Sequence, residues 1–358
     1  MILSLQINSV LSISLLTFLD CSAYDVGKFF QQKLQHYRYF LRQFFTKKAR
    51  MKFKLNPLAL ASTLLISMVN LPVNAYASVQ MPTLTKDSTL SKECKSDAWN
   101  EPTAPRHLYG NTWYVGTCGI SVILIASPQG HILIDSGPAN GFDAVSKSLQ
   151  ALGVRLKDIR TILTTHEHHD HTGGVAQFQK ESGAQVLVRK DALDSMRTGK
   201  ADRRDPQFKE LSPFAPVANL KLISDGAIVK RGKTTLRNIP MSGHAPGGSG
   251  WTWKECEKGV CHQIVFSDSL GSISDDVYRY SDEGGMAAAL RDSIARIGAA
   301  PCDILVTGHT GASGILERLD GKAALVDKTA CQKLAELGLK NLELRLQKEA
   351  ESSKATAK

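Results

Sequence analysis

From residue 108 onward the chain alternates short apolar runs with polar turns. Residues 111–117, 121–126 and 131–135 have the composition of strands, the last two joined through Pro128-Gln129-Gly130. Residues 142–152 carry apolar positions at helical spacing and stop at Gly153, a C-cap. A strand over 159–165, a helix over 175–181 and a strand over 185–189 complete a first βαβ-like half. The polar stretch 197–219 holds three prolines and no period, which predicts a long loop of the kind that is often functional. A second half follows, with strands over 222–229, 234–241 and 263–266, a helix over 286–297 and a strand over 303–307. Helical segments across 316–347 close it. This order is consistent with an α/β fold in one domain, a four-layer αββα sandwich.

Ahead of residue 90 the pattern changes. Residues 1–19 are apolar but broken by Ser and Asn, and 28–50 are basic and aromatic; neither reads as part of a folded enzyme. Met51-Lys52-Phe53-Lys54 is a positive n-region, 58–69 an apolar h-region and Ala75-Tyr76-Ala77 a cleavage site, together a secretory signal peptide. The expectation is an upstream extension over 1–50, a signal peptide over 51–77 and a mature domain over 78–358. A membrane anchor over 1–19 competes, but the run is polar-spotted and marginal in length, and Asp20 suits a lipid-attachment box at Cys21 badly.

Charge supports that division. Residues 1–77 hold nine Lys/Arg against two Asp/Glu, which is +7 of the chain's +10 and leaves +3 for the remaining 281 residues. A nucleic-acid partner needs a clustered basic face, so that reading loses its support. No apolar run long enough to span a bilayer follows Ala77. The expectation is an exported periplasmic protein without a stable membrane anchor, acting as a monomer on a small molecule. Six cysteines follow Cys21: Cys94, Cys118, Cys256, Cys261, Cys302 and Cys331. An even count behind a signal peptide reads as disulfides, with many pairings open.

Candidate chemistry concentrates between Thr164 and Gly174, after the apolar Ile162-Leu163 and before a Gly pair that can open a helix. On a strand-to-helix loop His166 and His168 can face one cation. Asp170 and His171 can then face a second position, and paired metal ions lie about 3.5–4 Å apart. Imidazole nitrogen and carboxylate oxygen suit Zn²⁺. The plain alternative is a solvated His-rich tract binding metal adventitiously, which does not usually sit between a strand and a helix start. His169 is expected beside the ligands or at the surface. His244 and His309 each follow a Gly at the carboxyl end of an apolar strand, over 239–243 and 304–308, where Gly lets the backbone turn sharply. His36, His107, His131 and His262 lack that setting and are expected at the surface or in packing.

These residues resemble the metallo-β-lactamase superfamily, and within it the zinc β-lactamases of class B, third subclass. The family motif His-x-His-x-Asp-His matches His166, His168, Asp170 and His171, and two later family histidines match His244 and His309; the resemblance spans roughly residues 90–335. It implies the four-layer metallo-β-lactamase fold and two Zn²⁺ per chain, the first on His166, His168 and His244, the second on Asp170, His171 and His309. It implies hydrolysis of penicillins, cephalosporins and carbapenems, and so antibiotic resistance. A zinc-bridging hydroxide is then the nucleophile, oriented by the catalytic Asp170, with no covalent intermediate. After residues 264–267 two subclasses place a zinc-binding Cys, whereas this chain reads Asp268-Ser269-Leu270, as the third subclass does. Exported members of that subclass imply the pairs Cys94–Cys118, Cys256–Cys261 and Cys302–Cys331.

For the substrate, the resemblance matches Ser269 with a hydroxyl that binds the drug carboxylate directly or through water. Two residues later, where the subclass commonly has Ser or Thr, this chain has Gly271 and then Ser272, which makes Ser272 a second candidate. Gln207, in the long loop, is a third. Asp135 reads by itself as a turn-capping residue; the resemblance matches it with a residue supporting the metal loop. Two other readings stand beside this one. A lactonase or thioester hydrolase of the same superfamily would carry a carboxylate bridging both metals, for which Asp268 is the candidate. A zinc-storage protein is the other, disfavoured because a mixed His/Asp site with open positions serves chemistry better than storage.

Overall fold

Branched apolar residues on both faces of short strands require cover on both sides, and the chain supplies it in four layers. The structure, a computed structural model, describes residues 79–83 and 90–356; the expected extension over 1–50 and signal peptide over 51–77 lie outside the described residues. One sheet runs in sequence order through β1 (Arg106–Tyr109), β2 (Thr112–Tyr114), β3 (Ile123–Ile125), β4 (His131–Ile134), β5 (Ile159–Leu163), β6 (Gln185–Arg189) and β7 (Leu220–Ile223). It is antiparallel to β4 and parallel from β4 to β7. The second sheet holds β8 (Ile228–Arg231), β9 (Thr234–Pro240), β10 (Ser249–Glu257), β11 (Val260–Ser267) and β12 (Ile304–Thr307), in the order β12-β11-β10-β9-β8.

The two inner faces meet in one core. Ile123, Ile125, Ile132, Ile134 and Leu163 pack there against Leu236, Trp251, Trp253, Ile264 and Val306. Because side chains alternate across a strand, Leu124, Leu133 and Ile162 point the other way. They are covered by α1 (Phe142–Ala151) and α3 (Val175–Ser182) through Val145, Leu149, Val175 and Phe178. The outer face of the second sheet, through Ile239, Val265 and Leu305, is covered by α5 (Ala287–Gly298) and α8 (Ala330–Thr356). The short helices α2 (His169–Thr172), α4 (Leu193–Thr198), α6 (Thr310–Ser313) and α7 (Ile315–Leu319) lie in the connections. The αββα sandwich expected from the strand and helix order is the fold observed.

The disagreements are local. The predicted strand over 222–229 is two strands, β7 and β8, each in a different sheet. The chain turns between them through Gly226 at a φ of 70°, so one apolar run serves both halves. Residues 249–257, to which the sequence pattern assigned no element, form β10, the second sheet's longest strand. Its hairpin to β11 closes through Lys258 and Gly259 at φ 50° and 83°, the paired left-handed conformations of a tight β-turn. Of the loop expected over 197–219, residues 199–219 form one, while Arg197 and Thr198 end α4. All three disulfides implied by the resemblance form: Cys94–Cys118, Cys256–Cys261 across the β10–β11 hairpin, and Cys302–Cys331 joining the start of β12 to α8.

His131 is fully buried at the start of β4, with Nδ1 accepting the Ser127 N–H at 3.2 Å. Burial lowers its pKa from 6.5 to about 4 against the raising influence of Asp158. The unfolded chain therefore binds a proton that the folded chain refuses as pH falls from 6.5 toward 4, and folding stability drops over that window by about 3 kcal/mol. We expect His131→Gln to flatten this acid limb in urea titrations of the metal-free protein. An unchanged limb would mean that other groups govern it.

Candidate metal centre

The backbone leaves β5 through Thr164 and Thr165 and turns His166 and His168 inward; Asp170 and His171 follow on the single turn of α2. Sequence patterning predicted a loop up to the Gly pair, but the helical turn begins at His169, so Asp170 and His171 ride on helix. Asp135, at the end of β4 with a φ of 61°, anchors this segment. Its carboxylate accepts Thr165 N–H and O–H, both at 2.7 Å, and its Oδ2 lies 3.4 Å from His171 Nδ1. It supports the metal loop, as the resemblance implied.

The second sheet meets the same loop. Ser249 N–H donates to Thr165 O at 2.6 Å, the Trp251 indole to Thr164 O at 3.0 Å, and Gly247 N–H to Glu167 Oε1 at 2.8 Å. These bonds set His244 opposite His166 and His168, with ring centroids 5.0 and 5.1 Å away. One donor atom from each of His166, His168 and His244 lies within 4.8 Å of the others, and the same is true of His166, Asp170 and His171. His309, after β12, brings Nε2 to 3.2 Å from Asp170 Oδ2, and His171 Nε2 reaches the same oxygen at 3.1 Å. Gly308 permits this approach, because a Cβ there would sit 2.6 Å from His171 Cε1.

The electrostatics fit cations at both positions. His166 Nε2 is buried without a hydrogen-bond partner, among other ring nitrogens. Burial and then His171 hold His166 well below its usual pKa, and burial and then His168 lower His244 to about 3, so both rings offer lone pairs at neutral pH. Around Asp170 the balance is opposite. Burial would raise its pKa, but His171 and His309 outweigh that and hold it far below the usual carboxylate range. His171, against the lowering effect of burial, is pushed up to about 10 by Asp170 and Asp135. The Asp170 carboxylate demands positive charge here, and a divalent cation would supply it in place of that proton.

The partners on the outer nitrogens were not evident from sequence. His166 Nδ1 lies 2.7 Å from Asp268 Oδ1, His168 Nε2 lies 2.8 Å from Asp205 Oδ2, and His244 Nδ1 lies 2.9 Å from the Gly271 carbonyl. Each fixes a ring's tautomer and aim. Asp205 comes from the 199–219 loop; the only hint was that a long loop without secondary structure tends to be functional. Asp205→Asn is expected to weaken divalent-metal affinity about 10–100-fold while the fold holds, read by competition with a chromogenic chelator. Unchanged affinity would make Asp205 a loop anchor only.

Among the remaining candidates, Ser269 lines a cavity of about 190 Å³ beside His171 and His309, together with Asp268 and Gly271 but not Ser272. Gln207 Nε2 comes within 3.5 Å of His244 Nε2. His169 stays outside both donor groups and faces Trp99 at 6.0 Å. His107 and His262 pack on Trp113 and Tyr109 away from the centre, and His36 lies outside the described residues.

Comparison with known proteins agrees with this geometry. Residues 115–255 match the sequence profile of the Metallo-beta-lactamase superfamily. The metallo-β-lactamase MIM-1 from Novosphingobium pentaromativorans is 42% identical with a TM-score of 0.71, over 74% of this chain and 99% of that one. MEM-A1, a subclass B3 metallo-β-lactamase isolated from a soil metagenome library, is 38% identical with a TM-score of 0.69, over 71% of this chain and 100% of that one. A hydroxyacylglutathione hydrolase of Bradyrhizobium sp. (strain ORS 278) is 25% identical over 167 residues, 46% of this chain and 52% of that protein. The chain spans about half the length, or less, of the curated relatives it matches. The fold implies a divalent metal, typically zinc. Shared architecture and the extent of these matches show that the chain belongs to the metallo-β-lactamase superfamily of hydrolases, with subclass B3 enzymes as its structural neighbours.

Proposed function

We propose that this chain hydrolyses the amide bond of β-lactams, covering penicillins, cephalosporins and carbapenems, and thereby confers resistance to them. His166, His168 and His244 would hold one Zn²⁺, and Asp170, His171 and His309 a second. The observation that carries the reading is the position of Asp170, whose Oδ2 faces His171 Nε2 at 3.1 Å and His309 Nε2 at 3.2 Å beside the His166, His168 and His244 group. Zinc bound here supplies Lewis acidity toward the carbonyl oxygen and lowers the pKa of water to about 7.

The chain's own groups do the rest. His166 and His244 stay neutral, and all three rings of the His166, His168 and His244 group are fixed by their outer partners. Asp170, within the second donor group and next to the first, would orient the attacking water. Water adds across the bond, its oxygen to the carbonyl carbon and a proton to the departing nitrogen. Ser269 donates to the substrate carboxylate, with Ser272 and Gln207 as further contacts. The thioester reading, which the hydroxyacylglutathione hydrolases favour, needs a carboxylate between the metals. Asp268 instead turns its Oδ1 to His166 Nδ1 at 2.7 Å, leaving Nε2 as that ring's unpartnered nitrogen, which supports the lactam reading.

The mature domain would be 78–358, exported to the periplasm by 51–77; three disulfides support an oxidising compartment. Because both donor groups come from one chain, a monomer suffices. The test is turnover of a carbapenem, a cephalosporin and a glutathione thioester by protein expressed from Met51 and loaded with zinc. Chelator-sensitive turnover of the first two is expected. Turnover of the thioester alone would overturn the lactam reading.

A further inference from the structure

The cavity beside His171 and His309 is closed on its far side by the C-terminal helix. Leu334, Leu337, Gly338 and Asn341 of α8 line it opposite Ser269. The helix comes this close because position 338 is glycine: a Cβ there would meet Leu270 Cβ at 3.0 Å and Ile294 Cγ1 at 3.3 Å. Leu337, one residue before, is thereby held at the cavity mouth with 55% of its surface exposed, an apolar side chain with nothing polar to do there.

Gly271 adds to this. The hydroxyl common at this position in the resembled subclass is missing, and the space where a side chain would start is met by Ile273, whose Cδ1 would lie 3.3 Å from a Cβ. Ile273 is itself 54% exposed. Beyond Ser269, then, the cavity is walled by Leu270, Leu334, Leu337 and the backbone of Gly271, Gly308 and Gly338, with Asn341 as the polar group on the helix side. A half-exposed leucine on the wall of a cavity, backed by two further leucines, marks a place where an apolar group docks.

We propose that α8 and the 269–273 turn form an apolar subsite for the substituent next to the substrate carboxylate, with Leu337 as its specificity-determining residue. The proposal rests on the β-lactam reading only for the identity of that substituent. With the departing nitrogen toward Asp170, His171 and His309 and the carboxylate on Ser269, the ring fused at that nitrogen lies over this cavity. In a cephalosporin the C3 substituent sits on the carbon adjacent to the one bearing the carboxylate, so it points at Leu337.

Two readouts test this in the zinc-loaded protein. The first is calorimetric affinity for mercaptoacetate and for its benzyl-substituted derivative. The second is kcat/KM for two cephalosporins, one with a methyl and one with a large aromatic group at C3. Wild type is expected to favour the larger member of each pair, and Leu337→Gln to cut that preference about 10-fold, the size of effect an apolar pocket supports. Leu339→Gln, on the same helix but outside the cavity, controls for the fold. Preferences that survive in Leu337→Gln, or fall equally in Leu339→Gln, overturn the subsite. If no cephalosporin is turned over but the benzyl preference is present and lost in Leu337→Gln, the subsite stands and only the lactam reading falls.

Discussion

Removing divalent metal with a chelator lowers hydrolysis by about three orders of magnitude or more, because the remaining chain offers no nucleophile of its own at the junction of the two donor groups. The expectation follows from the protonation states. His166 and His244 are kept neutral by burial, so neither is an imidazolium that could act as an acid, and Asp170 is ionised. Zinc added back should restore activity. The three hydrophobic cores contain none of the candidate ligands, so circular dichroism of the stripped protein should remain native. Its thermal midpoint should nevertheless fall by about 10 °C, since a ligand at roughly a thousand times its Kd stabilises by about 4 kcal/mol. His166 and His168 would hold the first ion together with His244, so His166→Ala and His168→Ala should each deplete that position while the Asp170, His171 and His309 position keeps its ion. Full turnover in protein shown by mass spectrometry to be metal-free would sink the whole reading.

Asp170→Asn should lower kcat about 10²–10³-fold, the cost typical of losing one charged group aimed at the reacting atoms. The substitution keeps the side chain's shape but removes the charge that holds the His171 and His309 ring nitrogens at 3.1 and 3.2 Å. Metal content should drop from two toward one per chain while the His166, His168 and His244 group keeps its ion. That difference separates Asp170 from a purely structural residue. A kcat within threefold of wild type at full metal content would remove Asp170 from the mechanism.

These expectations reflect how unevenly the centre was legible. His166, His168, Asp170 and His171 sit within six residues, and His244 and His309 each follow a strand and a glycine. Local chemistry was therefore enough to nominate them. The carboxylates that aim the rings carried no such mark, since Asp205 is 37 residues from His168 and Asp268 is 102 residues from His166. Asp268 even read more naturally as a candidate metal bridge, because nothing in a sequence says which face of an imidazole a distant carboxylate will meet.

By itself the sequence determined the four-layer pattern, the candidate donor residues and, through resemblance, the cysteine pairs, because periodicity and short-range spacing are properties of neighbouring residues. Only the tertiary structure decided which sheet each strand joins. The run over 222–229 divides between β7 and β8 in opposite sheets, since an apolar stretch can satisfy either inner face and only the turn at Gly226 chooses. It likewise decided that α8 walls the cavity at Leu337. That placement depends on Gly338 meeting Leu270, a contact between chain segments that pack together only once both sheets and their helices have formed.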